Sequence, residues 1–294
     1  MPDAAALDSS MHYEEAGEGA PIVLLHGNPT SSYLWRSVVP ELAPLGRCLA
    51  PDLIGFGRSG KPDIAYGFFD QARYFAAWLD ALDLDDITFV GHDWGGALAF
   101  DWAARHPERV RGIAFMETYP RPQTWDEWQP PEARDLFKAF RSDKGEELIL
   151  DQNLFVELVL PAGMHRKLSD EEMEAYRAPF AERQARRPML AFPRHLPMEG
   201  EPPEVVARVE AYSEWLTRST EVPKLLLAFE PGGVVTERVV AWCREQVASL
   251  EIQPIGAGLH YVQEDHGPAI GRAIAEWMRR RRLVPAAHSG GAEA

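Results

Sequence analysis

Short apolar runs alternate with helix-length segments through residues 1–118. The apolar runs are four to seven residues long, as buried strands are, and the segments between them are long enough for helices. Alternation of this kind is typical of a parallel sheet covered by helices on both faces. The predicted strands are Ile22–Leu25, Arg47–Ala50, Ile87–Val90 and Val110–Met116, and the predicted helices begin near Tyr33 and cover Asp70–Leu82 and Ala97–Arg105.

The alternation stops after this region and returns about one third of the chain later. The intervening segment is rich in helix-forming residues and punctuated by proline, and it contains no convincing strand. The strand signature then returns at Val222–Phe229 and is followed by a helix from Thr236. A further strand is predicted at Glu251–Ile255, and a last helix is predicted near Ile270–Arg280.

This pattern predicts an α/β core interrupted by a helical insert. The core is expected to comprise residues 1–118 and 221–294, and the insert residues 119–220. Inserts that follow the strands of a sheet usually form a lid, or cap, over the site. The tail from about residue 283 onward has the composition of a disordered segment.

Composition excludes several classes of protein. The net charge of −15 argues against nucleic-acid binding, which needs a clustered basic surface. No apolar run reaches the length of about 18 residues that a membrane span requires, and the first residues lack a signal-peptide pattern, so we expect a cytoplasmic protein. The two cysteines, Cys48 and Cys243, lie far apart, which makes a disulfide framework and a zinc site unexpected.

The sequence GHDWGG at residues 91–96 joins a predicted strand to a predicted helix. A glycine-flanked residue at such a junction sits on a sharp turn that pushes its side chain into the cleft, and esterases place a serine there. Here the central residue is Asp93. Aspartate is also a common helix N-cap, so the motif needs partners before it indicates catalysis.

Three further features supply candidate partners. The strand that ends in His26 and Gly27 delivers backbone N–H groups beside the turn, where an oxyanion would be bound. His260 follows Asp93 in the chain order expected of an α/β-hydrolase. Glu117 and Glu230 each end a predicted strand, and either could orient the histidine. The sequence pattern alone does not decide which of the two acids orients the histidine.

At this point the chain resembles a known family over nearly its whole length. It is similar to the haloalkane dehalogenases of the α/β-hydrolase fold, in the subgroup whose catalytic acid follows the sixth strand of the sheet. The order of several long motifs is more specific than any one of them. These motifs are HGNPTSSYLWR (26–36), PDLIGFGRSGKPD (51–63), GHDWGGALAF (91–100), the segment from Met116 to Trp128, QNxFVExVLP (152–161), LPMEGEP (196–202) and GLHYVQED (258–265).

The resemblance implies a role for each candidate residue. Asp93 would be the nucleophile, His260 the general base and Glu117 the acid that orients it, while Glu230 would support the structure. Asn28 and Trp94 would bind the halide through their side chains and the oxyanion through their backbone N–H groups. Neither a metal nor an organic cofactor is expected. The residues expected to line the substrate pocket are Trp125, Phe155, Val159, Leu160, Phe192, Pro193 and Leu259.

The chemistry suits these residue types. An ionised aspartate can attack a saturated carbon, expel a halide and form an alkyl ester that water then hydrolyses. The expected substrate is a small halogenated alkane, and the products are an alcohol, a halide ion and a proton. No nucleic-acid or membrane partner is expected, and the protein is expected to be a monomer or a weak homodimer.

Two alternatives share this fold and much of this machinery. An epoxide hydrolase would activate its substrate with lid tyrosines, and the insert contains Tyr119, Tyr176 and Tyr212. Asn28 argues against it, because epoxide hydrolases of this fold usually carry an aromatic residue there. A coelenterazine-type luciferase or monooxygenase is the second alternative. The segment at residues 118–121 departs from the usual apolar pair of the dehalogenases, which leaves the inherited substrate preference open.

Overall fold

Eight strands form one sheet in the computed structural model, which describes residues 2–128 and 130–284. Their spatial order is β1-β2-β4-β3-β5-β6-β7-β8; β2 pairs antiparallel with β1 and β4, and the pairs from β4 to β8 are parallel. The predicted, mostly parallel sheet flanked by helices is confirmed. The strands are β1 (Asp3–Ala6), β2 (Ser9–Ala16), β3 (Pro21–Leu25), β4 (Arg47–Pro51), β5 (Ile87–Asp93), β6 (Val110–Thr118), β7 (Lys224–Pro231) and β8 (Leu250–Gly258).

Ten α-helices accompany the sheet in the described residues. Short 3-10 turns and two π-helical segments, Glu146–Asp151 and Phe155–Val159, complete the helical structure. The α-helices are α1 (Val39–Leu42), α2 (Phe68–Ala81), α3 (Trp94–Arg105), α4 (Pro131–Arg141), α5 (Leu160–Ala162), α6 (Asp170–Arg177), α7 (Arg187–Arg194), α8 (Pro203–Arg218), α9 (Glu237–Gln246) and α10 (Val262–Arg280). The 3-10 turns are Ser32–Trp35, Pro107–Arg109, Trp125–Glu127, Ala178–Phe180 and Arg183–Arg186.

The central strands are apolar because helices cover both of their faces. Every residue of β5 is buried, as is every residue of β6 except Arg111. One face of the sheet packs against α2, α3 and α9, with α8 packed on α3, in the larger apolar cluster. The other face packs against α1 and α10, where Trp35 and Trp277 are fully buried. Near-continuous apolar strands are therefore what this doubly covered sheet requires.

The first two strands were not predicted from the sequence. β1 and β2 form a hairpin whose two-residue turn places Leu7 at a φ of 54°. Alanine is a weak strand former and makes up three of the four residues of β1, so the hairpin lacks the usual signature. The hairpin extends the sheet beyond β4, away from the strands that carry the candidate site residues.

The last helix begins eight residues earlier than predicted. α10 starts at Val262 and continues across a kink at His266, where φ is −131°. Pro268 lies just after this kink, and because proline lacks a backbone N–H it interrupts the helical hydrogen bonding there. The helix predicted near Tyr33 is a 3-10 turn, Ser32–Trp35, followed by the short α1. The other predicted elements agree within a few residues, and the predicted disordered tail falls almost wholly on residues 285–294, outside the described residues.

Between β6 and β7 the chain forms α4 to α8 and both π-helical segments, with two isolated β-bridges at Met198 as its described sheet structure. This stretch coincides with the predicted insert at residues 119–220. Its identification as a separate cap domain stays a prediction, and "the insert" is used below for these residues.

The buried carboxylate of Glu264 links the insert to the core through hydrogen bonds. Glu264 on α10 has 1% of its side chain exposed and accepts two hydrogen bonds of 2.7 Å from Arg36. From the insert, Tyr176 and Arg166 also donate to Glu264. Both arginines contact Glu172, whose pKa falls to about 2, chiefly through the hydrogen bond from Arg166. Burial raises the pKa of Glu264, but its bonds from Arg36, Tyr176 and Arg166 outweigh that effect and lower it.

We expect Glu264→Gln to lower the free energy of unfolding by about 2 kcal/mol, because charge-assisted bonds to a buried carboxylate are lost. The difference is fully present above a pH of about 4.3 and shrinks as the pH falls further, since the unfolded Glu264 then binds a proton first. Urea denaturation at several pH values measures both effects. Glu276→Gln, at an exposed position of the same helix, is the control. Equal stability of the two variants would contradict the assignment.

Candidate active site

Asp93 occupies a sharp turn between β5 and α3. Its backbone has φ 52° and ψ −131°, a conformation that costs a non-glycine residue energy and is typical of functional sites. Gly95 presses against the carbonyl groups of Leu25 and His26, where a Cβ atom would overlap the backbone. A Cβ atom on Gly27 would likewise overlap the Asp93 carboxylate. Gly27 thus lets its backbone segment approach the Asp93 side chain closely, and Gly95 lets the start of α3 pack against the end of β3.

The Asp93 carboxylate is buried and surrounded by donors. Its Oδ1 accepts the backbone N–H of Asn28 at 2.8 Å, and its Oδ2 accepts the hydroxyl of Tyr119 at 3.0 Å. Nε2 of His260 lies 3.5 Å from Oδ2. Burial raises the pKa of Asp93, but the hydrogen bond and charge of His260, with smaller effects of His92 and the Trp94 N–H, outweigh it and lower the pKa below its ordinary value. The carboxylate is therefore ionised at neutral pH.

His260 lies in the loop between β8 and α10, and both of its ring nitrogens face carboxylates. Nδ1 is 3.4 Å from Oε2 of Glu117, while Nε2 faces Asp93. Burial lowers the pKa of His260, but the two carboxylates outweigh it and raise the pKa to about 9. The backbone N–H groups of His260 and Tyr261 both donate to the carbonyl of Gly163, at 2.9 and 2.8 Å, so the insert holds this loop.

Glu117 is the acid that the structure brings to His260. It lies near the end of β6 at a φ of 44°, and its Oε2 accepts the backbone N–H groups of Gly233 and Val234 at 2.8 and 2.7 Å. Its side chain is 1% exposed. Glu230, the other acid that the sequence left open, is exposed near the end of β7. The geometry therefore favours Glu117 as the partner of the imidazole.

Asn28 and Trp94 flank the Asp93 carboxylate. Both are buried, and the Asn28 amide donates to the carbonyl of Met189 in the insert at 3.1 Å. This bond orients the amide and uses one of its two N–H groups. The carbonyl of Asn28 accepts the Tyr261 hydroxyl at 3.0 Å. The indole of Trp94 stacks on Phe192 with ring centroids 5.0 Å apart and planes 14° apart.

The predicted pocket residues differ in how closely they approach these groups. Phe192 contacts Trp94 directly, as described above. Phe155 packs within the insert, with its ring centroid 5.4 Å from that of Phe140, and Trp125 packs 5.7 Å from Trp128. Their role as pocket walls stays a prediction for all seven. Of the remaining four, Leu160 and Pro193 are buried, and Val159 and Leu259 are half-buried.

Two residues at the site, His92 and Tyr119, make hydrogen bonds that were not predicted from the sequence. His92 precedes Asp93 and donates from Nε2 to the carbonyl of His260 at 2.9 Å. Burial lowers the pKa of His92 to about 3, so the ring is neutral and this bond is retained at neutral pH. Tyr119 was noted for its departure from an apolar pair, but its bond to Asp93 was not foreseen. The signal for this bond in the sequence was a hydroxyl-bearing side chain where the dehalogenases usually carry an apolar residue.

The described part of the chain contains no group of three or more His, Cys, Asp or Glu side chains placed to hold a metal ion. Both cysteines are buried, and neither forms a disulfide bond. No helix among the described residues is long and apolar enough to cross a membrane.

Comparison with known proteins places this geometry in a family. A family model for the α/β-hydrolase fold matches residues 20–192. A haloalkane dehalogenase of Mesorhizobium japonicum is 51% identical over 275 residues, which cover 92% of this chain and 89% of the relative. The chain belongs to the haloalkane dehalogenases. Its identity with a haloalkane dehalogenase of Sphingobium indicum is 49% over 278 residues, covering 92% of this chain and 93% of the relative.

Solved structures of haloalkane dehalogenases share this fold closely. The crystal structure of the haloalkane dehalogenase DbeA from Bradyrhizobium elkani has a TM-score of 0.93 at 49% identity, covering 96% of this chain and 98% of that chain. A putative ancestral haloalkane dehalogenase also has a TM-score of 0.93, at 48% identity, covering 97% of this chain and 100% of that chain. The α/β-hydrolase fold is thereby confirmed, and the dehalogenase interpretation is favoured over the epoxide hydrolase and luciferase alternatives.

The ion pairs of His260 predict a measurable titration in this haloalkane dehalogenase. We expect the imidazole to titrate with a pKa of about 9. Both Asp93→Asn and Glu117→Gln should lower this value, because each removes a charge that favours the protonated ring. NMR spectroscopy of the imidazole signals during a pH titration gives the values. Glu230→Gln is the control for loss of a strand-end acid, and a lowered pKa in that variant with none in Glu117→Gln would reverse the assignment.

Proposed function

We propose that this haloalkane dehalogenase cleaves the carbon–halogen bond of a small haloalkane through an alkyl ester on Asp93. The observation that carries the proposal is the environment of the carboxylate: Oδ1 is bound by the Asn28 N–H, while Oδ2 faces His260 at 3.5 Å. An esterase needs a neutral hydroxyl at this turn, whereas an ionised carboxylate is the nucleophile for displacement at saturated carbon.

In the first step Oδ2 of Asp93 attacks the carbon from the side opposite the halogen. The carbon–oxygen bond forms as the carbon–halogen bond breaks, and the halide leaves with the bonding electrons. Donors that already point at the leaving group stabilise its developing charge. The indole N–H of Trp94 and the second amide N–H of Asn28 are neutral donors of the right kind, and we assign them this role.

Formation of the ester prepares His260 for the second step. The charge and hydrogen bond of Asp93 are causes of the raised pKa of His260, and the ester abolishes the charge. The pKa of the imidazole consequently falls, its proton passes to solvent, and the neutral ring becomes a general base. Substrate capture thus converts an ion-pair partner into a base only when a base is needed.

In the second step His260 takes a proton from water, which attacks the carboxyl carbon of Asp93. The backbone N–H of Asn28 already binds Oδ1. Together with the backbone N–H of Trp94, it would stabilise the tetrahedral oxyanion. Glu117, fixed by Gly233 and Val234, stabilises the imidazolium that forms. Collapse releases the alcohol and restores the Asp93 carboxylate, so one alcohol, one halide and one proton are produced per turnover.

The insert supports an apolar substrate. Phe192 contributes an aromatic face against Trp94, and α7, which carries it, also provides the Met189 carbonyl that orients Asn28. A haloalkane offers few polar atoms, so an apolar wall is the complementary surface. A monomeric or weakly dimeric state and a cytoplasmic location stay predictions.

The covalent intermediate gives the sharpest test. We expect the wild-type protein to release bromide from 1-bromobutane, and His260→Phe to lower steady-state release by about 10³-fold, as loss of a general base does. The variant should accumulate Asp93 carrying a butyl group, visible by mass spectrometry of the intact protein and its peptides.

The matched control is His165→Phe, at an exposed position of the insert. It should retain bromide release and show no added mass. Absence of bromide release by the wild-type protein across a panel of bromoalkanes would contradict the proposed function, as would a butyl group on a residue other than Asp93.

A further inference from the structure

The hydroxyl of Tyr119 is aimed at the oxygen that attacks the substrate. It donates to Oδ2 of Asp93 at 3.0 Å, on the same oxygen that His260 faces. Tyr119 directly follows β6, and only 3% of the residue is exposed. This phenol therefore belongs to the wall of the site immediately beside the reacting bond.

The structure holds this phenol in place from two directions. The hydroxyl of Tyr212 on α8 donates to the backbone carbonyl of Tyr119 at 2.6 Å. The ring of Tyr119 packs against the indole of Trp94 with centroids 5.2 Å apart. A buried ring with a fixed backbone has little freedom to turn its hydroxyl towards solvent.

Other buried tyrosines use their hydroxyls elsewhere. Tyr261 donates to the carbonyl of Asn28, and Tyr176 donates to Glu264. Tyr119 is thus the tyrosine whose bond depends on the charge of Asp93. Burial and the Asp93 charge raise the pKa of Tyr119 well above 10, so the phenol keeps its proton and acts as a donor.

Ester formation on Asp93 weakens the acceptor of the Tyr119 hydroxyl. Once Oδ2 is bonded to carbon, it loses its charge and becomes a much weaker acceptor than a carboxylate. The buried hydroxyl would then lack a full hydrogen bond, at a cost of about 1–3 kcal/mol. A substrate that carries its own acceptor near the reacting carbon removes this cost, and a purely hydrocarbon chain does not.

The position of that acceptor follows from the geometry. The halogen leaves on the side of the carbon opposite Oδ2, towards the donors assigned to Trp94 and Asn28, so it is not the acceptor for Tyr119. Each covalent bond spans about 1.5 Å, so an atom two bonds from the reacting carbon can lie about 3 Å from a hydroxyl beside Oδ2.

We propose that Tyr119 makes this enzyme select haloalkanes with an ether or hydroxyl oxygen two bonds from the halogen-bearing carbon. The proposal rests on the proposed function, since it requires Asp93 to be the attacking group. Tyr119 is then a specificity-determining residue, whose hydrogen bond passes from Asp93 to the substrate oxygen as the ester forms.

Two substrates of nearly equal shape isolate this effect. 1-Bromo-2-methoxyethane and 1-bromobutane differ by one oxygen in place of one CH₂ group. We expect the ratio of their kcat/KM values, ether over alkane, to be about tenfold higher for the wild type than for Tyr119→Phe, as one hydrogen bond implies. The gain should appear mainly in kcat, because the new bond forms as the carboxylate loses its charge.

Tyr176→Phe is the matched control, because it removes a buried phenol hydroxyl that faces Glu264 rather than Asp93. Its ratio should equal that of the wild type. If Tyr119→Phe does not fold, as thermal unfolding would reveal, the wild-type ratio is compared with that of the uncatalysed displacement by acetate. A wild-type ratio about tenfold above the acetate ratio supports the proposal, because one hydrogen bond accounts for a factor of about ten.

The possible failures are distinguishable. Bromide release from both substrates with the same ratio in wild type and Tyr119→Phe, or with the ratio of acetate, overturns the role of Tyr119 and leaves the proposed function intact. Release from neither substrate overturns the proposed function itself, and this inference with it.

Discussion

One buried negative charge, the carboxylate of Asp93, organises the site. Burial opposes ionisation, but His260, with smaller effects of His92 and the Trp94 backbone N–H, lowers the pKa of Asp93 and keeps it charged. Its oxygens are hydrogen-bonded as well, with the Asn28 N–H on Oδ1 and the Tyr119 hydroxyl on Oδ2. The same charge raises the pKa of His260 and keeps Tyr119 protonated. Loss of this charge on ester formation therefore changes its neighbours together, which links the proposed hydrolysis to the proposed selectivity.

The fold supplies these donors from separate parts of the chain. Asp93 and Glu117 lie near the ends of the adjacent strands β5 and β6, both at positive φ, and His260 follows β8. The carboxyl ends of parallel strands meet at one edge, which is where open α/β sheets place their sites. The insert positions two of these segments: the Gly163 carbonyl holds the His260 loop, and the Met189 carbonyl orients the Asn28 amide.

Sequence patterns anticipated the parallel sheet because apolar strands with helices between them leave few other arrangements. They missed β1, whose three alanines carry little strand preference. Periodicity could not choose between Glu117 and Glu230, since both end strands; burial and the 3.4 Å approach to His260 separate them. The contacts of Tyr119 and Gly163 depend on how the insert sits against the sheet, and that placement is set by packing rather than by local sequence.

The central claim is that Asp93 bonds covalently to the substrate and that water then attacks its carboxyl group. A single turnover in H₂¹⁸O, with enzyme in excess over 1-bromobutane, tests this most directly. We expect butanol that carries ordinary oxygen, taken from Asp93, and an Asp93 peptide that has gained one ¹⁸O. Labelled butanol together with an unlabelled Asp93 peptide would show direct attack of water on the haloalkane and would contradict it.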